Sequence, residues 1–319
     1  MNRSLVSTVS SALSTMKRDA YTLWLFTASD VDTVLLPCTI LGIVQSLTHM
    51  PSFDNADQFG GISYSKYVWI LQKSLAVLGW VWLNLVPLTI SNQRSPMSVI
   101  EDKLNKPWRP LPSGRLTATQ AKWTMLAFYV VAQLYCVLFS GGTLSSFVLT
   151  IMGTWYNKFK GGEYHPLLRN MINAAGYLCL TSGAAAVALT GTDPNVVEKT
   201  SNSPVPWPLV ITAIIISTMH IQDMYDQEGD SQRGRRTVPL MIGDGPARWT
   251  LATAAMTWGI VCPLLASVGS YIFMTSFLLN VVVAGRMLLL RSVPSDRQTY
   301  RIWNSWMTLV FIMPIFGKA

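Results

Sequence analysis

The chain alternates between long apolar stretches and short polar segments that hold most of its charged residues. Apolar runs of about 18 residues or more are typical of transmembrane helices. Backbone groups in lipid must be paired within the chain, and the alternation of a transmembrane β-barrel is absent, so the runs are predicted to be helices. The pattern predicts about nine spans, the fourth of them short, over residues 22–47, 68–91, 118–140, 143–157, 168–190, 206–222, 246–268, 270–290 and 300–316.

The composition agrees with a membrane protein. Half of the residues are hydrophobic and 13% are charged, whereas soluble proteins have about 25% charged residues. We expect one transmembrane domain over residues 1–319, with a cytosolic N-terminal segment over residues 1–21. This segment lacks the apolar core and cleavage site of a signal peptide, so the first span is expected to insert the chain. The four cysteines fall within predicted spans and indicate small buried side chains.

The net charge of +8 is distributed unevenly along the chain. With nine spans, the N-terminus and the loops after even-numbered spans share one side, and most of the 24 Lys and Arg fall there. This positive-inside pattern places these loops in the cytosol, and we expect the membrane to be the endoplasmic reticulum. Topology accounts for most of the basic excess. We therefore expect contact with membrane lipid, no nucleic-acid partner and no obligatory protein partner.

Acidic residues gather where the sixth predicted span ends, in the segment "QDMYDQEGDSQRGRRTVPL" that begins at Gln222. Asp223, Asp226 and Asp230 are spaced i, i+3, i+7, which places them on one face of a helix. Carboxylates so close repel one another unless a cation lies between them, and oxygen ligands favour Mg²⁺. A solvated acidic helix end is the alternative, but ionisable groups at the end of a span are costly and usually functional.

A second polar segment, "IEDKLNKPWRPLPSGR", lies between the second and third predicted spans. It holds Glu101 and Asp102, then Lys106 and Arg109, and its prolines restrict how far these cations can move. A contact with lipid headgroups is the alternative. A third loop on the same side, "WYNKFK", adds Tyr156 among its polar residues. Patterns typical of Ser-His-Asp or Cys-His hydrolases and of nucleotide-binding P-loops are absent, which makes such functions unattractive.

Acids and cations at one end of an apolar bundle are suited to one substrate class. Mg²⁺ ions bridge carboxylates to a diphosphate, and Lys and Arg neutralise the remaining charge, so that diphosphate becomes a good leaving group. An apolar remainder of the substrate would lie among the helices. Ionisation would then leave a carbocation in a cavity that holds little water. Aromatic faces stabilise cations, and we expect Trp80, Trp82 and Trp258, which lie within spans, to face that cavity, with Tyr156 and Tyr225 beside the diphosphate.

Three segments together resemble motifs of the UbiA superfamily of intramembrane prenyltransferases. They are "DKLNKPWRPLPSGRLT" from Asp102, "QDMYDQEGDSQRGRRTVPL" from Gln222 and "WYNKFK". The resemblance covers essentially the whole chain. It implies an all-α bundle of about nine transmembrane helices around a central cavity with a cap on the cytosolic side.

The first motif departs from the family pattern N-D-x-x-D-x-x-x-D. When Asp102 takes the last position, Ser98 stands where the middle aspartate belongs, and Asn92 and Gln93 supply an "NQ" pair that is shifted by two residues. This altered pattern resembles fungal UbiA-type terpene cyclases, which let the prenyl cation close on its own double bonds.

The resemblance also implies the roles of individual residues. It implies Mg²⁺ as the cofactor and makes Asp102, Asp226 and Asp230 the catalytic ligands. Additional ligands or their neighbours would be Asp223, Glu101, Asn92 and Ser98. The diphosphate would be bound by Lys106, Arg109, Tyr156, Lys160 and Arg236.

Three functions follow as hypotheses. The first is a Mg²⁺-dependent terpene cyclase of secondary metabolism that converts farnesyl or geranylgeranyl diphosphate to a polycyclic hydrocarbon, with a slight preference for the C20 substrate. The second is a prenyltransferase with an aromatic or other acceptor, which the depleted first motif disfavours. The third is a transporter or lipid-binding protein, which is disfavoured because the polar groups gather on one side rather than at the midplane.

Overall fold

The chain folds as a bundle of α-helices in the computed structural model, which describes residues 3–48, 66–138, 141–191 and 206–317. No β-strand occurs in these ranges; one isolated bridge joins Val268 to Gly317. The helices are α1 (Arg3–Thr27), α2 (Leu36–Thr48), α3 (Lys66–Gln93), α4 (Pro96–Asn105), α5 (Ala118–Leu138), α6 (Thr143–Asn157), α7 (Gly161–Tyr164), α8 (Pro166–Leu189), α9 (Trp207–Thr218), α10 (Asp223–Arg233), α11 (Val238–Ile242), α12 (Asp244–Leu265), α13 (Ser270–Leu289) and α14 (Val293–Ile312).

Every predicted span coincides with helical structure over its described residues, which confirms the all-α bundle; residues 139–140 of the third span lie outside the described ranges. Within the described ranges, five stretches are long and apolar enough to cross a membrane, and they are Thr8–Val44, Tyr67–Gln93, Ala118–Leu138, Pro166–Leu189 and Ser270–Leu289. Trp207–Ile221 is apolar but shorter, and α6 has only 15 residues. The count of nine spans therefore stays a prediction, as does the single domain over 1–319.

The first span differs from its predicted form in two places, at its N-terminal end and within residues 28–35. The described part of the N-terminal segment is helical and forms the first part of α1, which begins at Arg3 and continues into the span. The span is then interrupted by a 3-10 turn over Ala28–Asp30 and a π-helical turn over Val31–Leu35 before α2 begins. The sequence indicated one uninterrupted helix here, because hydrophobic periodicity does not report a change of helix type.

The helix α8 lies near the middle of the bundle, where it packs against α2, α3, α6 and α9. Further along the chain, α12 packs on α13 and α13 on α14, and α14 also contacts α2. Arg248 of α12 is buried and makes two hydrogen bonds of 2.7 Å to the carboxylate of Asp296 on α14. Cys38, Cys136 and Cys262 are buried and unbridged, as expected of small core residues.

The two acidic motifs lie on α4 and α10, and these two helices pack against each other. Ser95 caps α4 by accepting a hydrogen bond of 3.1 Å from the Ser98 amide. Gly229 of α10 allows the close approach, since a Cβ atom there would lie 2.4 Å from the Asn105 side chain of α4. Packing thus brings together motifs that are more than a hundred residues apart.

Candidate active site

A cavity of about 490 Å³ opens among α3, α4, α6, α8, α10, α14 and the break in the first span. Its volume lies within the range of about 300–1,000 Å³ that is usual for small-molecule sites. One part of the wall is apolar and is formed by Val34, Leu85, Leu88, Leu149, Met152, Ile172, Leu180 and Met219. The other part is polar, so the cavity suits a ligand with one charged and one apolar end.

Of the residues that the structure describes, six cationic side chains line the polar part of the cavity. They are Lys106, Arg109, Arg169, Arg235, Arg297 and Arg301. The sequence pointed to Lys106 and Arg109 but missed the other four as site residues. For Arg297 and Arg301 the available signal was their i, i+4 spacing on one helix face; positive-inside topology explained them equally well.

The carboxylates of the two motifs pair with arginines. Asp102 accepts a hydrogen bond of 2.8 Å from Arg109. Asp223 pairs with Arg169, and Asp230 accepts a hydrogen bond of 3.0 Å from Arg235. The Asp223–Arg169 pair joins α10 to α8, and the other two pairs join α4 and α10 each to the loop that follows it.

Glu101 differs from the aspartates because both of its oxygens are occupied. One accepts from Arg233 at 2.9 Å and the other from Arg235 at 3.0 Å. Arg233 also donates to the Ser98 hydroxyl at 2.7 Å. Glu101 and Ser98 thus connect α4 to Arg233 at the end of α10, and Glu101 also connects it to Arg235 just beyond that end.

Each aspartate of the motifs keeps one oxygen that is buried and has no hydrogen-bond partner among the described residues. These oxygens are Asp102 Oδ2, Asp223 Oδ2, Asp226 Oδ1 and Asp230 Oδ2, and Asn92 Oδ1 has the same property. Buried polar atoms are rarely left unpaired. Carboxylate and amide oxygens are also the donors that a hard divalent ion prefers, so the residues fit Mg²⁺ by chemical type. In the described ranges, however, no three acidic, His or Cys side chains form a metal-binding cluster.

Asp226 is the aspartate of the motifs without an ion pair in the described part of the chain, and it lines the cavity. It is 8% exposed. Burial raises its pKa to about 6; Lys106 opposes this effect, and Asp230, Glu101 and Asp223 reinforce it. Because Asp226 is buried near other carboxylates and has no ion pair there, a bound cation would stabilise its ionised form more than that of the paired aspartates.

Burial and neighbouring charges also shift the pKa of other groups at the polar end. Burial raises the pKa of Asp102 against the opposing charge of Arg109. Burial would raise that of Glu101 as well, but Arg235 and Arg233 outweigh burial and lower the pKa. Burial and the nearby Arg109 lower the pKa of Lys106. The region therefore holds several charged groups that are buried and have shifted pKa values, which is typical of ligand sites.

The predicted site residues fall into three groups. Those that line the cavity are Asn92, Glu101, Lys106, Arg109, Tyr156 and Asp226. Those that are buried but do not line it are Ser98, Asp102, Asp223 and Asp230. Lys160 and Arg236 are exposed and lie outside the cavity lining, so the structure does not bring these two to the site. Arg235 takes the place expected of Arg236, because α10 ends at Arg233 and the chain turns at Gly234, whose φ is 73°.

The expectation for the tryptophans is wrong. Trp80, Trp82 and Trp258 do not line the cavity; their indole groups donate hydrogen bonds inside the bundle, to Cys136, Thr27 and Ser217 respectively. The aromatic residues of the cavity are Tyr156, Tyr177, Tyr225, Tyr300 and Trp108, and Tyr156 and Tyr225 were predicted. Position within a span did not reveal which helix face turns toward the cavity.

The break in the first span adds Asp30 and Asp32 to the cavity lining. The sequence analysis did not select them, although two acids inside an apolar span were an available signal. Tyr225 and Tyr300 lie near each other on the same cavity, with ring centroids 5.5 Å apart. The guanidinium of Arg297 lies 5.4 Å from the Tyr225 ring.

Comparison with known proteins relates this site to a family. The model described as "UbiA prenyltransferase family" matches residues 62–311. Fumagillin beta-trans-bergamotene synthase of Aspergillus fumigatus is 28% identical over 300 residues, which are 93% of this chain and 92% of that protein. Somaliensene A/B synthase of Streptomyces somaliensis is 26% identical over 320 residues, 95% of this chain and 94% of that protein. Relatives also include a polyprenyl transferase of Hericium erinaceus.

The fold has a counterpart among solved structures. A UbiA homologue from Archaeoglobus fulgidus bound to GPP and Mg²⁺ superimposes with a TM-score of 0.61 at 12% identity. The superposition covers 92% of this chain and 99% of that one. At this identity the likeness concerns the fold.

Proposed function

This chain belongs to the UbiA prenyltransferase family, and on that premise we propose that it is a Mg²⁺-dependent terpene cyclase. It would ionise farnesyl or geranylgeranyl diphosphate, close the carbocation to a polycyclic sesqui- or diterpene hydrocarbon and release diphosphate. It is an integral membrane helix bundle. We place it in the endoplasmic reticulum, with the site facing the cytosol and its product in secondary metabolism.

The observation that carries this proposal is the division of one cavity into a cationic and an apolar part. Lys106, Arg109 and Arg235 offer the fixed positive charge that a diphosphate requires. The apolar wall accepts a hydrocarbon chain of several isoprene units and excludes water from it. A diphosphate ester of a long apolar alcohol satisfies both parts at once.

Metal binding in this proposal uses the acids of both motifs. Asp226 and the unpaired oxygens of Asp102 and Asp230 would hold Mg²⁺, with Asp223 and Asn92 close by. A bound Mg²⁺ supplies Lewis-acid stabilisation of the leaving diphosphate. Because Asp102 and Asp230 are paired with arginines in this structure, loading requires those arginines to shift toward the diphosphate oxygens.

The chain's own residues would then control the carbocation. Cations at the polar end retain the diphosphate near the point where it leaves. The faces of Tyr177, Tyr225 and Tyr300 offer negative electrostatic potential to a cation. The apolar side chains fix the folded shape of the prenyl chain, which determines the double bond that closes.

Two observations favour cyclisation over transfer to an acceptor. The first motif has Ser98 where the family pattern has its middle aspartate, and its Asn92-Gln93 pair lies two residues before the position of the pattern's Asn-Asp pair. The two synthases are also similar to this chain over more than nine-tenths of its length. A prenyltransferase remains the second candidate because the family includes such enzymes. The transporter hypothesis gains nothing from these relatives.

An assay without acceptor tests the proposal. Membranes containing the protein are incubated with farnesyl or geranylgeranyl diphosphate and Mg²⁺, and extracts are analysed for hydrocarbons by gas chromatography and mass spectrometry. We expect a cyclic hydrocarbon that disappears on addition of EDTA and returns with excess Mg²⁺. Membranes with Asp226→Ala at equal expression are the control, and we expect at least about a 100-fold loss.

A prenylated product that forms only when an aromatic acceptor is supplied would assign the protein to the transferases. Hydrocarbon formation that is unchanged in EDTA would refute the metal dependence.

A further inference from the structure

The interrupted part of the first span, residues 28–35, forms part of the cavity wall. Irregular backbone at membrane depth is tolerated where it is buried in protein or lines a cavity, and single π-helical turns are frequent at functional sites. The interruption directs both Asp30 and Asp32 to the cavity lining. A regular helix would place residues two positions apart about 200° from each other around its axis, so the break is what allows both to reach one cavity.

Side chains from three other parts of the fold hold this turn in position. Gln93 of α3 donates a hydrogen bond of 2.8 Å to the carbonyl of Phe26. Arg109 donates one of 3.1 Å to the Ser29 hydroxyl. Tyr177 of α8 donates one of 2.9 Å to the carbonyl of Thr33. All three donors also line the cavity, so the position of the turn is tied to the shape of the substrate site.

The two carboxylates on the turn differ in their surroundings. Among the described residues, neither makes an ion pair or hydrogen bond. Asp30 has electrostatic interactions with Arg109 and Lys106, which places it toward the diphosphate end. Asp32 is the more exposed of the two, and both interact electrostatically with Tyr300. An acid within a membrane span is costly to keep, which points to a function.

We propose that Asp32 is the proton acceptor that ends the cyclisation, an inference that rests on the proposed function. A cyclised carbocation becomes a neutral hydrocarbon when a C–H bond next to the cationic carbon breaks. The electron pair of that bond becomes the new C=C bond, and the proton forms an O–H bond with the Asp32 carboxylate. Proton transfer to the departing diphosphate or to water then restores the carboxylate. Asp30 is not assigned this step, because it interacts electrostatically with Arg109 and Lys106 at the polar end.

The test separates ionisation from deprotonation. Diphosphate release and hydrocarbon products are measured together for wild type, Asp32→Asn and Asp32→Glu, with Asp19→Asn on the exposed part of α1 as the matched control. For Asp32→Asn we expect diphosphate release within a few-fold of wild type. Formation of the wild-type hydrocarbon should fall by at least about 100-fold, with double-bond isomers or water-captured alcohols in its place. Asp32→Glu should restore part of the wild-type product, and Asp19→Asn should match wild type.

Each other outcome has a distinct meaning. An unchanged product pattern in Asp32→Asn would overturn the inference, because deprotonation would then fall to the released diphosphate or to another carboxylate of the cavity. Loss of diphosphate release in Asp32→Asn would also overturn it, since ionisation precedes deprotonation. Should Asp32→Asn not accumulate, the isomer ratio from Asp32→Glu decides, because a base moved by one methylene group changes which proton it reaches. Absence of any hydrocarbon from wild type would instead refute the proposed function.

Discussion

Replacing Asp226 by asparagine should stabilise the protein while it removes activity. Burial raises the pKa of Asp226 from an ordinary value of 3.8 to about 6, in spite of Lys106 and with the help of Asp230, Glu101 and Asp223. At about 1.4 kcal/mol for each pKa unit, keeping this carboxylate ionised at pH 7 costs the folded state about 3 kcal/mol. Asparagine has nearly the same shape and no charge, so it avoids this cost.

The sign of the effect follows from proton linkage. Between pH 4 and pH 6 the folded protein retains a proton on Asp226 that the unfolded chain has released, so wild-type stability falls as pH rises through this window. The advantage of Asp226→Asn should therefore be small near pH 4, grow between pH 4 and pH 6, and level off above pH 6. The measurement is thermal unfolding of detergent-solubilised protein in EDTA across this pH range.

Added Mg²⁺ makes the test specific. A cation that binds the folded state raises its stability by mass action, so Mg²⁺ with a non-hydrolysable prenyl diphosphate should stabilise wild type more than Asp226→Asn. Asp244→Asn, at the first residue of α12, is the control of opposite sign: hydrogen bonds from Arg248 and Gln227 lower the pKa of Asp244, so loss of this carboxylate should lower stability. If Asp226→Asn unfolds at the same or a lower temperature than wild type at pH 7 in EDTA, the account of Asp226 as a strained carboxylate is wrong.

Two further predictions concern the cavity and its support. Arg235→Gln should raise the KM for the prenyl diphosphate by about tenfold or more, because a charged hydrogen bond contributes about 1.5–3 kcal/mol. Arg236→Gln should leave KM near wild type, and equal effects of the two variants in steady-state kinetics would contradict the placement of Arg235. Gly183→Ala should lower stability by about 1–3 kcal/mol through overpacking, because its Cβ atom would lie 2.0 Å from the Trp80 ring. In the control Gly176→Ala, on the same helix, the Cβ atom meets no atom nearer than 3.8 Å. Equal unfolding temperatures for the two variants would contradict this packing.

The sequence by itself determined which long segments are helical and which types of charged residue gather at one end of the bundle. Long apolar runs leave the backbone no alternative to helices in lipid, so every predicted span coincides with helical structure. The i, i+3, i+7 spacing of the acids on α10 also follows from helix geometry alone. Three of its carboxylates accordingly lie on the side of α10 that faces the rest of the bundle and are buried there.

Only the tertiary structure decided how those residues are paired and which of them reach the cavity. Glu101 is bound by Arg233 at a separation of 132 residues, and no local pattern encodes such a partner. Arg235 rather than Arg236 lines the cavity, because the backbone turns at Gly234. The tryptophans within spans pack inside the bundle, whereas the break in the first span places Asp30 and Asp32 on the cavity wall. Periodicity reports the local helix; which face meets the cavity depends on the neighbouring helices that pack around it.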